Sequence, residues 1–198
     1  SVDNLFKGSG SYTEAPRNSV GTLLADEAHR LNEKSGMFQY VAIWGVQRVK
    51  ANPRGLLLVL AVVTAVFSAF LDNVTTVLLI APVTFKITQK LNINPYPYLL
   101  LEIFASNIGG TATLIGDPPN ILIGSSLNLS FMDFVKELTP VVVITMAVLI
   151  LAFDLVYHKR IQTTLRHQVE VMKIRAGDSI TDKSLLIKSL IVLFMVIG

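Results

Sequence analysis

Two short polar stretches inside apolar sequence carry residue types that could bind an ion. Residues 68–76 contain one carboxylate, one amide and several hydroxyl groups, and residues 106–120 contain amides, hydroxyls and a second carboxylate. Oxygen atoms of these groups are the ligands that hard cations prefer. Because polar residues within membrane segments usually serve function, both stretches are candidate ion or substrate sites.

The second stretch also interrupts regular helix. Pro118 and Pro119 lack a backbone donor and disfavour helix in the residue before them. Gly109, Gly110 and Gly116 allow backbone conformations that other residues avoid. We therefore predict a helix that enters a membrane, breaks and restarts. An unpaired peptide group in hydrocarbon costs several kcal/mol, so the break must be enclosed by protein or face a watery cavity.

The composition is that of a membrane protein. Hydrophobic residues make up 52% of the chain and charged residues only 16%, whereas soluble domains carry about a quarter charged residues. Cysteine is absent and the three histidines are far apart, which argues against a thiolate or zinc site. The basic residues lie mostly between apolar segments, which indicates membrane orientation rather than nucleic-acid binding.

The elements that position the two stretches are predicted to be helices of an all-α polytopic membrane protein. Residues 36–52 end in a basic cluster and suggest an interfacial helix, or else the end of a spanning helix. Residues 55–88 form two arms that are each too short to span, with basic residues at both ends. We predict a re-entrant hairpin with Asp72 and Asn73 at its buried tip. The alternative is a full hairpin in which both residues cap the second helix from the far surface.

The rest of the chain follows the same charge pattern. The remaining predicted segments are a polar segment at 1–35 without a signal peptide, a broken helix at 96–126, an external loop at 128–137, a spanning helix at 138–157, a cytoplasmic linker or amphipathic helix at 158–183, and the start of a truncated helix at 184–198. Glu102 shares a helix face with Ser106. It is either an interfacial carboxylate that reaches water or part of a buried polar network.

Taken together, the two breaks resemble a known family. SAFLDNVTT at 68–76, SNIGGTAT at 106–113 and GDPPN at 116–120 are similar to the ion transporter superfamily. Its members include the arsenite pump membrane subunit, citrate and dicarboxylate carriers, Na⁺/H⁺ antiporters and the P protein, and the P protein and its bacterial relatives look most similar. The resemblance covers residues 36–157.

The resemblance implies a fold of two inverted repeats, each with a re-entrant hairpin and a broken helix whose tips meet at the ion site. Its implied ion- and substrate-binding residues are Asp72, Asn73, Thr75, Thr76, Ser106, Asn107, Gly109, Gly110, Thr111, Thr113, Gly116, Asp117 and Asn120. Na⁺ is expected at Asp72, Asn73, Asn107 and Gly110, and ion coupling at Asp72 or Glu102. This chain departs from the family in two respects: Asp72 stands where dicarboxylate carriers have Ser, and the second repeat is absent.

The expected function is secondary active transport of a small organic or inorganic anion, or Na⁺/H⁺ exchange, by elevator-like alternating access. Na⁺ or H⁺ would be the coupling ion, without a cofactor. We expect a fragment of a homodimer in the lipid bilayer of a bacterial plasma membrane, or of an organelle if the source is eukaryotic. The alternative is a non-transporting membrane fragment or subunit that needs a second repeat or a partner chain. An intramembrane hydrolase with Ser68 or Ser106 as nucleophile is disfavoured, because no His or Lys lies near either serine in sequence.

Overall fold

The computed structural model describes residues 36–179, and within this range the chain is all-helical. The segments predicted at 1–35 and 184–198 lie outside the described residues. The helices are α1 Met37–Arg48, α2 Pro53–Ser68, α3 Asn73–Leu91, α4 Tyr96–Gly110, α5 Pro118–Leu127, α6 Phe131–Tyr157 and α7 Leu165–Met172, followed by a 3₁₀ turn at Ala176–Ser179.

Local capping explains where the main helices begin. Asn52 caps α2, whose first residue is Pro53, a position where the missing backbone donor costs little. Ser130 and Asp133 form a capping box at the start of α6. This helix therefore begins at Phe131 rather than at Leu138, and the predicted external loop at 128–137 is mostly helix. The charged residues that suggested a loop form the first turns of α6.

Contacts between the helices define their directions. The Tyr98 hydroxyl donates to the Pro53 carbonyl over 3.2 Å, and Gly109 lies against Ala65 further along both helices, so α2 and α4 are parallel. Helix α3 runs antiparallel to both. Asn73 at its start contacts Asn107 near the end of α4, whereas Thr84, further along α3, contacts Glu102, nearer the start of α4. The turn between α2 and α3 therefore lies at the same end of the bundle as the break between α4 and α5.

The core lies among α1, α2, α3 and α4, while α6 covers them with little of its own surface buried. The largest fully buried apolar side chains are Leu56, Leu57, Leu60, Ile80, Ile87, Leu91, Tyr98 and Leu101, with Val46 of α1 and Val171 of α7. Large apolar side chains such as Ile144, Leu151 and Leu155 of α6 stay exposed. Among the described residues, α3 and α6 are long and apolar enough to cross a membrane. The second arm of the predicted hairpin is therefore longer than the sequence indicated, because α3 continues to Leu91.

Candidate ion-binding site

Asn73 joins the two breaks through its side-chain amide. Its Nδ2 donates to Asn107 Oδ1 over 3.3 Å, and its Oδ1 accepts from the Ser68 hydroxyl over 2.7 Å. Asn107 Nδ2 in turn donates to the Ile103 carbonyl over 2.7 Å. Since that bond fixes which way Asn107 points, it also fixes the amide orientation of Asn73. The end of α2, the start of α3 and the end of α4 therefore meet at one amide.

The Ser68 hydroxyl lies within hydrogen-bonding distance of two acceptors but can donate to only one of them at a time. It lies 2.7 Å from Asn73 Oδ1 and 2.7 Å from the Ser106 carbonyl, yet a hydroxyl has one hydrogen to donate. At any moment one of these two oxygens lacks the Ser68 hydrogen. The tip is therefore rich in acceptor oxygens, in a place where Ser68 and Ser106 are almost wholly buried.

The glycines allow close approach rather than unusual backbone conformation. A Cβ on Gly110 would overlap Asn73 Oδ1 and lie 2.9 Å from the Gly116 carbonyl oxygen, and a Cβ on Gly116 would lie 2.8 Å from the Ser68 carbonyl oxygen. Neither of these glycines, nor Gly109, has a positive φ. The conformational freedom that glycine allows is thus not used here through a positive φ. Packing of backbone against backbone is the physical reason for glycine at these positions.

Two side chains satisfy the broken backbone. The Thr113 hydroxyl donates to the Ala69 carbonyl and accepts from the Gly116 amide over 3.1 Å. Asn120 Nδ2 donates to the Thr113 carbonyl over 2.9 Å and is 3.3 Å from the Gly110 carbonyl. Because buried peptide groups need such partners, Thr113 and Asn120 hold the break in shape and tie it to the end of α2.

The remaining predicted site residues make contacts within their own turns of helix. Asp72 is exposed and caps α3, with Oδ1 accepting from the Thr75 amide over 2.9 Å. The hydroxyl of Thr76 donates to the Asp72 carbonyl over 3.0 Å, and that of Thr111 donates to the Ile108 carbonyl over 2.7 Å. Asp117 precedes α5 without capping it through its side chain. The contact of Asp72 with the Thr75 amide is that of a helix cap, as in the alternative interpretation of this residue.

Ser68 was not among the residues predicted to bind the ion or substrate, although it connects both breaks. A signal was present, since Ser68 opens the same polar stretch that contains Asp72 and Asn73. Of the four residues predicted to hold Na⁺, the structure brings Asn73, Asn107 and Gly110 together.

Glu102 lies in the interior of the bundle. Its side chain is 0% exposed, and Oε1 accepts from the Thr84 hydroxyl. Oε2 has no hydrogen-bond partner among residues 36–179. Of the two interpretations left open by the sequence, the buried polar network describes this residue. An interfacial carboxylate that reaches water would be exposed.

Comparison with known proteins identifies the class. A family described as "Citrate transporter" matches residues 30–198, so the chain belongs to the citrate transporter family. It is therefore a membrane protein of a transporter family and not an enzyme. The resemblance to the ion transporter superfamily, seen in the two polar breaks, is confirmed.

Individual relatives agree with this family. The chain is 46% identical over 163 residues to a "46 kDa membrane protein" of Mycobacterium leprae (strain TN), covering 82% of this chain and 38% of the relative. An "Uncharacterized transporter" of Mycobacterium tuberculosis (strain ATCC 25618 / H37Rv) is 45% identical over 163 residues, which again cover 82% of this chain and 38% of the relative. The P protein of Homo sapiens is 35% identical over 156 residues, covering 72% of this chain and 19% of the relative. The chain thus spans well under half the length of these relatives.

Proposed function

We propose that this chain supplies one wall of the ion site of a secondary active transporter, with α2 and α3 as a re-entrant hairpin and α4 and α5 as a broken membrane helix. The observation that carries the proposal is the Asn73 amide, which bonds to Ser68 before one break and to Asn107 before the other. The transported species is a small anion, or Na⁺ exchanged for H⁺, moved by elevator-like alternating access.

The depth of the breaks supports the re-entrant hairpin. Helix α6 has 27 residues, which at about 1.5 Å per residue is about 40 Å, enough to cross the hydrocarbon core of about 30 Å. Ala69 and Ala112, beside the two breaks, line the same groove as Thr139 of α6. Thr139 lies about 12 Å along α6 from its first residue. If α6 crosses the membrane along its whole length, the breaks lie about 12 Å below its first residue, inside the span rather than at its surface.

The other ends of the helices support a cytoplasmic origin of the hairpin. Arg54 at the start of α2 lies 3.5 Å from Asp154 near the end of α6. Lys86 and Lys90 in the last turns of α3 are exposed, and basic residues follow α6 at positions 158–160. Basic residues concentrate on the cytoplasmic side of membrane proteins. The first arm of the hairpin would then begin on the cytoplasmic side, and the second arm would end there.

The chemistry of the tip supports a cation there. The Ser68 hydroxyl can donate to Asn73 Oδ1 or to the Ser106 carbonyl but not to both at once, so an oxygen lone pair at the tip is open to a cation, and the carbonyl of Gly110 is close by. Neutral carbonyl, amide and hydroxyl oxygens suit Na⁺. The first turns of α3 and α5 follow the breaks, and their amide dipoles favour an anion beside that cation.

The test is ion flux through the complete gene product reconstituted in lipid vesicles. Citrate, arsenite, chloride and Na⁺ are offered in turn, with pH and Na⁺ gradients imposed separately. We expect flux of one of these ions to follow one gradient, and Asn73→Ala to reduce that flux at least tenfold. The matched control is Asn128→Gly, since Asn128 is exposed and left-handed with φ 53°, a conformation that glycine adopts freely.

Two results would contradict the proposal: no gradient-dependent flux of any of these ions, or flux that is equal in Asn73→Ala and Asn128→Gly.

We further propose the plasma membrane as the location of the protein and a homodimer as its assembly. Crosslinking in native membranes tests both.

A further inference from the structure

We infer that Glu102 is a proton-binding site within the membrane, separate from the ion site at the two breaks, and that it holds the proton which couples transport to pH. This assignment rests on the membrane placement proposed above for α4. It deepens the proposed function by naming the coupling residue. The sequence left Asp72 and Glu102 as alternatives for that role.

The surroundings of Glu102 favour the neutral carboxyl group. The side chain is 0% exposed, and within the described part of the chain Oε2 is buried without a hydrogen-bond partner. Thr84 is the residue that donates to Oε1. An ionised carboxylate that is fully buried with one hydroxyl donor is poorly solvated, so burial of this kind favours protonation. Protonation places a hydrogen on Oε2 and removes the net charge.

No cation compensates this carboxyl group in the part of the chain that the structure describes. On the helices packed against α4, Arg54 of α2 pairs with Asp154 of α6, and Lys86 and Lys90 of α3 are exposed. On α4 itself, the Tyr98 hydroxyl donates to the Pro53 carbonyl. None of these side chains bonds to Glu102. A salt bridge, the usual structural reason for a buried carboxylate, is therefore not what holds it.

Buried polar side chains lie on both sides of Glu102. Toward the end of α3, the Thr88 hydroxyl donates to the Thr84 carbonyl over 2.7 Å, and Thr84 donates to Glu102. Toward the breaks, Ser106 lies one turn further along the same face of α4 and its carbonyl accepts from Ser68. Glu102 thus lies between two groups of buried polar side chains, Thr84 and Thr88 toward the proposed cytoplasmic end of α3 and Ser106 toward the ion site.

Asp72 is less suited to bind the coupling proton. Its carboxylate is exposed and accepts from the Thr75 amide at the start of α3. A backbone donor and the amino end of a helix both favour the ionised form of a carboxylate. The two acids therefore have different roles: Asp72 caps a helix, and Glu102 takes up and releases a proton.

The direct test is difference infrared spectroscopy of the complete gene product in lipid, recorded between acidic and alkaline pH. We expect a C=O stretching band of a buried protonated carboxyl group that is lost in Glu102→Gln. Gln keeps the shape and the acceptor for Thr84 but has no titrating proton. The matched control is Glu137→Gln, which removes an exposed carboxylate of α6 and leaves the band in place.

A second variant keeps the test decisive if Glu102→Gln does not fold. Thr84→Val removes the hydroxyl that donates to Oε1, so we expect the same band at higher frequency, as for a carbonyl without a hydrogen bond. A band that persists in Glu102→Gln, or keeps its frequency in Thr84→Val, overturns the proton site.

The infrared measurement needs no substrate, so its outcome is independent of the proposed function. If no ion is transported but the band is lost in Glu102→Gln, the proton site stands and the transport proposal falls. If transport occurs, we expect Glu102→Gln to abolish its response to a pH gradient, while Glu137→Gln retains that response.

Discussion

Gly109→Ala tests the close contact between α2 and α4 on which the site depends. A Cβ at this position would overlap the backbone of Ala65, including its Cα and carbonyl oxygen. Overpacking a core costs about 1–3 kcal/mol, and the upper value applies because a helix backbone cannot rotate aside. Alanine regains up to about 1 kcal/mol of helix propensity over glycine. The expected net loss in the free energy of unfolding is about 2 kcal/mol, or roughly 30-fold in the unfolding equilibrium constant.

The assay is equilibrium unfolding of the complete gene product in detergent micelles, followed by circular dichroism. Gly124→Ala is the matched control, since it also lies inside a helix but its added Cβ would meet the flexible side chain of Leu114. We expect this control to be neutral or slightly stabilising. If Gly109→Ala is as stable as Gly124→Ala, the close contact does not hold α2 against α4, and the geometry derived for the breaks is refuted.

Three further predictions concern the tip and the segment after α6. Ser68→Ala should lower the free energy of unfolding by about 1–3 kcal/mol, because it removes a hydrogen from buried acceptors. The control Ser125→Ala should cost almost nothing, because the Ser125 hydroxyl is exposed and donates to the Leu122 carbonyl within its own turn. Asp72→Asn should leave stability and pH response unchanged, because Asn also caps helices, while Asp72→Ala should cost about 1 kcal/mol; a changed pH response in Asp72→Asn would contradict the capping role. The Lys173 ammonium donates to Glu170 over 2.8 Å and lowers the pKa of that carboxyl group. The pair therefore stabilises the fold at pH values above the ordinary pKa of Glu. This stabilisation is lost as the pH falls through the lowered pKa. Lys173→Met should raise the pKa of Glu170 in a carboxyl NMR titration, and an unchanged pKa would show that the pair does not form.

The sequence predicted much of the site because the two polar breaks stand out against their apolar surroundings. Asn73, Asn107 and Gly110 were chosen from those breaks, and the structure places them in contact. The exact start of α6 was missed because charged residues occur both in loops and in the first turn of a helix. The capping box of Ser130 and Asp133 was the signal that could have placed it.

Other features depend on packing between distant residues and could not be read from local sequence. Asp is common both at helix caps and at ion sites, so only the contact with Thr75 distinguishes the two roles of Asp72. The burial of Glu102 depends on α3, where Thr84 lies eighteen positions earlier in the chain. Likewise, the need for glycine at position 109 arises from Ala65 on another helix.

The depth of the hairpin tip tests the central claim most directly. The 198 residues contain no cysteine. Once any cysteine elsewhere in the complete gene product is replaced, single cysteines at Leu71 and Ser130 can each carry a spin label in the reconstituted protein. Depth is measured by electron paramagnetic resonance with lipid-soluble and water-soluble relaxants. A re-entrant hairpin predicts Leu71 roughly 10 Å deeper than Ser130. The reason is that Ala69, two residues before Leu71, lines the same groove as Thr139, which lies well inside α6. Equal depth for the two labels would place the tip at the far surface and contradict the mid-membrane site.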